Sequence, residues 1–122
     1  MLLDSNIIIY AAQPEHDELR RLIASQAPSV SAISVVEVLG YHRISDAERT
    51  HFEEFFGVSR ILAVSEVVIS EAVRLRQQRK MTLGDALIGA TALTNDLTLV
   101  TRNVDDFDWI EGLRIMNPLA AA

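Results

Sequence analysis

Short apolar runs alternate along this chain with longer stretches in which apolar residues recur every three or four positions. That alternation predicts strands joined by helices. "MLL" (1–3) reads as a short first strand running into a turn, and "HDELRRLIA" (16–24) as an amphipathic helix with Leu19, Leu22 and Ile23 on one side. "PSVSAIS" (28–34) gives a second strand after a proline, "SVVEVLGYHR" (34–43) a helix, and "SDAERTHFEEFF" (45–56) a further helix that Ser45 or Asp46 would cap. "RILAVS" (60–65) predicts a third strand, followed by helices over "SEVVISEAVRLRQQR" (65–79) and "TLGDALIGATALTN" (82–95). "LTLVT" (97–101) is the fourth strand and "LRIMNP" (113–118) a fifth that Pro118 ends. The expected class is α/β, a mostly parallel sheet of about five strands flanked by helices. In such sheets ligands collect beyond the carboxyl ends of the strands, and two polar clusters fall there: "DSN" (4–6) and "TRN" (101–103).

At 122 residues, with 49% apolar and 23% charged positions, the chain reads as one globular domain, residues 1–122, with low complexity only in the terminal "AAA". The absence of cysteine closes the disulfide, thiolate-metal and cysteine-nucleophile classes. No basic leader and no long apolar run point to a membrane, so a cytoplasmic protein is expected. A net charge of -6 argues against holding nucleic acid on a broad basic surface, though not against cutting it. "RLRQQRK" (74–80) concentrates four cations on what is either a solvated helix face or a nucleic-acid contact.

The acidic positions carry the candidate chemistry, and each has a bland alternative. Asp4 interrupts an otherwise apolar segment with no Lys or Arg in the first nineteen residues; it is either a helix cap or a ligand. Glu37 lies roughly opposite Val35, Val36, Val38 and Leu39 on a wheel of about 100° per residue, as an exposed glutamate would. Yet its own face carries Ile33, Gly40 and Tyr41 and no second charge. Asp85, three residues after Thr82, fits a capping box, and Gly89 and Ala92 at i+4 and i+7 keep its face open to another backbone or a ligand. "TRNVDDFDW" adds Asn103, Asp105, Asp106 and Asp108 in what reads as a turn-forming loop. Arg102 is a phosphate contact or a surface charge. His16, His42 and His51 show no metal-binding spacing and are expected at the surface. If the acids gather, their repulsion calls for a cation, and Mg²⁺ is the natural one, held by one or two carboxylates plus water and phosphate.

"MLLDSNIIIY", "VVEVLGY", "TLGDALIGATAL" and "LTLVTRNVDDFDWIEGLRIMNP", in this order over nearly the full length, resemble the PIN-domain ribonucleases, and most closely the VapC-type toxins of toxin-antitoxin pairs. The resemblance implies a PIN-like fold with an acidic pocket that binds Mg²⁺ or Mn²⁺ and cuts RNA. It maps Asp4, Glu37 and Asp85 onto the metal-binding acids, Asn6 onto an orienting polar residue, and Thr101 and Asn103 onto the polar pair after the fourth strand. Where the family often has a fourth aspartate this chain has Asn103; either that residue suffices, or Asp105 or Asp106 serves, with Asp106 favoured as a water-mediated contributor. Arg43, Arg102 and the basic helix would then touch RNA. A VapB-like antitoxin and a homodimer are also implied.

Two rivals remain. A signalling receiver domain expects an acidic pair after strand one, an aspartate after strand three and a lysine after a late strand; here there is one acid, then Ser65 and Glu66, and Lys80 lies in a helix. A non-catalytic member of the same fold would bind RNA or protein without cutting, and Asn103 is the residue that favours it.

Overall fold

The computed structural model describes residues 1–119, so the terminal alanine run lies outside the described residues. Five short strands form one sheet: β1 (Leu2–Leu3), β2 (Ser29–Ser31), β3 (Arg60–Leu62), β4 (Leu99–Val100) and β5 (Ile115–Met116). Their order is β3-β2-β1-β4-β5 and every neighbouring pair is parallel. The chain therefore winds outward from β1 in one direction, then returns to lay β4 against its other side. The carboxyl ends of β1 and β4 flank the point where the winding reverses, which is where open α/β sheets place their ligands.

The helices are α1 (Ser5–Ala11), α2 (Asp17–Gln26), α3 (Ala32–Leu39), α4 (Asp46–Gly57), α5 (Glu66–Gln78), α6 (Leu83–Thr94) and the single turn α7 (Val104–Phe107). The two-residue period of a strand sends adjacent side chains to opposite faces, and the core divides accordingly. Leu2 and Leu99 pack with Val68, Leu75, Ile88 and Phe107 beneath α5, α6 and α7. Leu3 and Val100 pack with Ile7, Ile8, Val38, Phe52 and Phe56 beneath α1, α3 and α4. Each such side chain, fully buried, contributes about 1.5–3 kcal/mol.

The observed elements differ from the sequence expectations at their ends. The second strand stops at Ser31 rather than Ser34, because the Ser31 hydroxyl accepts the Ile33 N–H at 3.2 Å and starts α3. That helix ends at Leu39, with the Gly40 N–H closing on the Val36 carbonyl, so Tyr41, His42 and Arg43 follow it as a turn. Ser45, not Asp46, caps α4, exchanging reciprocal hydrogen bonds with Glu48. The acidic loop after β4 contains the helical turn α7, anchored by the fully buried Phe107. Among the described residues no helix is long and apolar enough to cross a membrane.

Candidate active site

Asp4 ends β1. Its backbone N–H donates to the Val100 carbonyl at 3.0 Å, which ties it to β4, and the residue is 3% exposed. It holds the extended backbone of a helix N-cap, yet its side chain caps nothing. Instead Oδ2 accepts a hydrogen bond from Thr101 Oγ1 at 2.8 Å. Thr101 Oγ1 in turn accepts the Asn103 N–H at 3.0 Å, so the hydroxyl's one proton is directed at Asp4. Burial pushes the Asp4 carboxyl up to about 6 against the lowering effect of Thr101, and the charges of Asp85 and Glu37 add to the rise. A pure capping role does not account for this arrangement.

Glu37 is on the exposed side of α3, but its head is held. Ser5 Oγ donates to Glu37 Oε1 at 2.7 Å and lies 2.8 Å from Ser34 Oγ, both serines being buried. A carboxylate only accepts, so the Ser34 proton goes to Ser5 and the Ser5 proton to Glu37. On the other side, a Cβ built on Gly84 would stand 2.5 Å from Glu37 Oε2, so the missing side chain makes room for the carboxylate beside α6. The wheel that set Val36 with the core is corrected here: Val36 is 65% exposed, and only Val38 of the four apolar neighbours is fully buried.

Asp85, half-buried, begins α6. Thr82 accepts the Asp85 N–H at 3.1 Å, but the reciprocal half of a capping box is not formed, and the carboxylate makes no backbone hydrogen bond among the described residues. Burial raises its carboxyl pKa despite the Thr82 hydroxyl, and the charges of Asp106 and Glu37 raise it further. The small-residue face behind it is filled by the protein itself: Gly89 lies against Ile110, Leu75 and Phe107.

Of the remaining expected residues, Asn103, Asp105 and Asp106 are all exposed; Asp106 is within electrostatic reach of Asp85, and the Asn103 side chain does not cap α7. Asn6 is exposed on the first turn of α1, and Thr101 supplies a hydroxyl to Asp4. Arg43 is exposed after α3, and Arg102 lies over the Tyr10 ring. The basic helix is largely engaged within the fold: Arg74 pairs with Glu71, Arg76 Nε donates to the Met81 carbonyl at 3.4 Å, and Arg79 sits over Trp109. His42 and His51 are exposed, but His16 is half-buried, stacked on Tyr10. Ser5, Ser34 and Gly84 were not legible as site residues; the one available signal was that Ser34 stands three residues before Glu37 on the same helix.

Asp4, Glu37, Asp85 and Asp106 thus form a chain of mutually repelling carboxylates, and none of the ion pairs among the described residues includes them. An oxygen-only set without a protein cation suits a hard divalent ion. No three carboxylate or imidazole groups among the described residues converge closely enough to share one ion. One or two carboxylates, completed by water or phosphate, are the complement such a site offers. An apolar cavity of about 530 Å³ between α1, α2 and α4, lined by Ile8, Ile23, Phe52 and Phe55 among others, contains none of the acids.

Comparison with known proteins gives a consistent result. The PIN domain family matches residues 1–113. Ribonuclease VapC10 of Mycobacterium tuberculosis is 31% identical, over 93% of this chain and 90% of its own length. A toxin-antitoxin complex from Klebsiella pneumoniae contains a chain that superposes with a TM-score of 0.77 at 28% identity, covering 96% of both chains. VapBC2 from Rickettsia felis, bound to a DNA fragment from its promoter, shares the fold at a TM-score of 0.84 and 22% identity, over 95% of this chain and 96% of that one.

Proposed function

This chain belongs to the PIN-domain family, and we propose that, as a VapC-type member with residues 1–122 forming one domain, it is the toxin of a toxin-antitoxin pair and hydrolyses phosphodiester bonds in RNA with Mg²⁺ or Mn²⁺. The observation that carries this reading is Asp4: a nearly inaccessible carboxylate, facing the charges of Asp85 and Glu37, with no ion-pair partner among the described residues. A buried charge without a partner is costly, and a divalent ion would offset that cost. The named relative adds support, being a ribonuclease 31% identical over nearly the same length.

When bound, such an ion supplies charge neutralisation at the phosphate and lowers the pKa of a water. Asp4 and Asp85 would hold it, with Glu37 reaching it through water. Thr101 keeps Asp4 oriented, the Ser34–Ser5 pair keeps Glu37 oriented, and Asp106 adds negative charge at the Asp85 side. Asn103 would supply its amide where related chains often have an acid. Attack by water, rather than by the ribose 2′-hydroxyl, leaves a 5′-phosphate on the product.

A VapB-like antitoxin fits as partner, because the similar solved structures are complexes of such pairs and the carboxylates would accept a basic side chain from it. A homodimer has apolar surface to use: Val67, Ile69 and Val73 of α5 and Val36 of α3 are all exposed. A cytoplasmic location agrees with an RNA substrate. The alternative, a PIN-fold module that binds without cutting, is favoured by one feature, Asn103. Incubation of an RNA panel with and without Mg²⁺ separates the two. The enzyme reading expects Mg²⁺-dependent products carrying 5′-phosphates, and an RNA panel left intact would overturn it.

A further inference from the structure

Arg102 joins an aromatic stack, of the kind Arg79 makes on Trp109, to a position directly beside the residue that holds Asp4. Its guanidinium carbon lies 3.9 Å from the centroid of the Tyr10 ring, and His16 stacks on that ring with centroids 4.0 Å apart and planes 27° apart. Two groups so close to one centroid must occupy opposite faces, so Arg102, Tyr10 and His16 form a column. Arg20 and Arg21 pair with Asp17, Arg74 with Glu71 and Arg114 with Asp96, but Arg102 has no carboxylate partner among the described residues. It is exposed, and it directly follows Thr101, whose hydroxyl holds Asp4.

A guanidinium stacked on an aromatic face gains cation–π attraction while its N–H edge stays open, and that fork matches a phosphate. Arg102 also lines a cleft of about 340 Å³ with Asn103, Asp105, Asp106 and Asn117. Asn117 Oδ1 already accepts the Leu119 N–H at 3.0 Å, which leaves its NH₂ as the free end. In a chain of net charge -6 with an acidic centre, a polyanion needs a local cation to approach.

We propose that Arg102, held by the Tyr10–His16 column, is a backbone-phosphate subsite for single-stranded RNA, gripping a phosphodiester beside the one presented to the carboxylates. This rests on the ribonuclease reading. The ligand is RNA; an acidic peptide is the competing occupant.

The test is binding of a fluorescently labelled single-stranded RNA of mixed sequence to the full chain, with EDTA in place of divalent ion and KCl varied. Arg102→Ala should weaken binding by about tenfold or more, as expected for loss of a charge-assisted hydrogen bond. It should also reduce the slope of log affinity against log salt by about 0.7, the value for one phosphate on a single strand. Tyr10→Phe should bind as the unaltered chain does, and Tyr10→Leu should bind several-fold more weakly. Unchanged affinity and slope in Arg102→Ala would overturn the subsite, as would a loss confined to binding of a polyglutamate peptide. If the unaltered chain neither binds nor cleaves RNA, the ribonuclease reading falls and the subsite with it. If it does both and Arg102→Ala binds equally, only the subsite falls.

Discussion

Asp4 and Thr101, 97 residues apart in the chain, meet through a hydrogen bond of 2.8 Å from the threonine hydroxyl to the aspartate. The bond spans the carboxyl ends of β1 and β4, where the winding of the sheet reverses, and it fixes the direction of the most buried acid in the chain. Two strands that the sequence separates by most of its length are thereby joined at the point where chemistry is expected.

Thr101→Val keeps the shape of the side chain and removes the donor, leaving Asp4 Oδ2 and the Asn103 N–H each without its partner. The expected cost is about 1–3 kcal/mol of stability, together with a further rise in the Asp4 pKa and weaker divalent-ion binding. Thermal unfolding and a Mn²⁺ titration check both effects. Thr101→Ser, which restores the hydroxyl, should recover most of the ion affinity.

Gly84→Ala separates stability from site geometry. Alanine is favoured over glycine by up to about 1 kcal/mol inside a helix, but its Cβ would stand 2.5 Å from Glu37 Oε2. The flexible carboxylate must move away. The variant should melt at or above the temperature of the unaltered chain while losing RNA cleavage, a combination that simple misfolding does not produce. Paired melting curves and cleavage rates measure it.

The Asp4 carboxyl is pushed up to about 6 from 3.8, chiefly by burial. Between these values the folded protein holds a proton that the unfolded chain has released, so without divalent ion stability falls as pH rises from about 4 to about 6 and stays lower above that. The difference amounts to about 3 kcal/mol at pH 7. Asp4→Asn should therefore raise the melting temperature at pH 7.5 in EDTA, with the gain vanishing near pH 4. Added Mg²⁺ should narrow the gap by stabilising only the unaltered chain. A variant less stable than the parent at pH 7.5 in EDTA would contradict the assigned electrostatics.

The parallel sheet was legible because strands buried on both faces read as apolar runs, as Leu2–Leu3 and Leu99–Val100 do. The polar residues that end those runs marked the edge at which Asp4 and Thr101 meet. What sits across the fold was not legible. Glu37 looked like an ordinary exposed residue because its hydroxyl partner Ser5 lies 32 positions away on α1, and periodicity within α3 carries no record of it. Asn6 drew attention as the near neighbour of Asp4, while the hydroxyl that holds Asp4 comes from Thr101, just beyond β4. α1 was signalled only by the reading of Asp4 as a helix cap, and its Ile7, Ile8 and Ala11 share one buried helix face. The 65% exposure of Val36 depends on which side of α3 its neighbours cover, a matter of packing rather than of pattern.

The central claim, that the carboxylates around Asp4 form a divalent-ion site for RNA hydrolysis, is tested most directly by comparing the unaltered chain with Asp4→Asn and Asp85→Asn on one RNA panel, in Mg²⁺ and in EDTA. The account predicts cleavage by the unaltered chain in Mg²⁺ alone, with each variant slower by about 100-fold or more, in line with the loss of one preorganised charge-stabilising group. Either variant cleaving at the unaltered rate, or the unaltered chain cleaving equally well in EDTA, would contradict it.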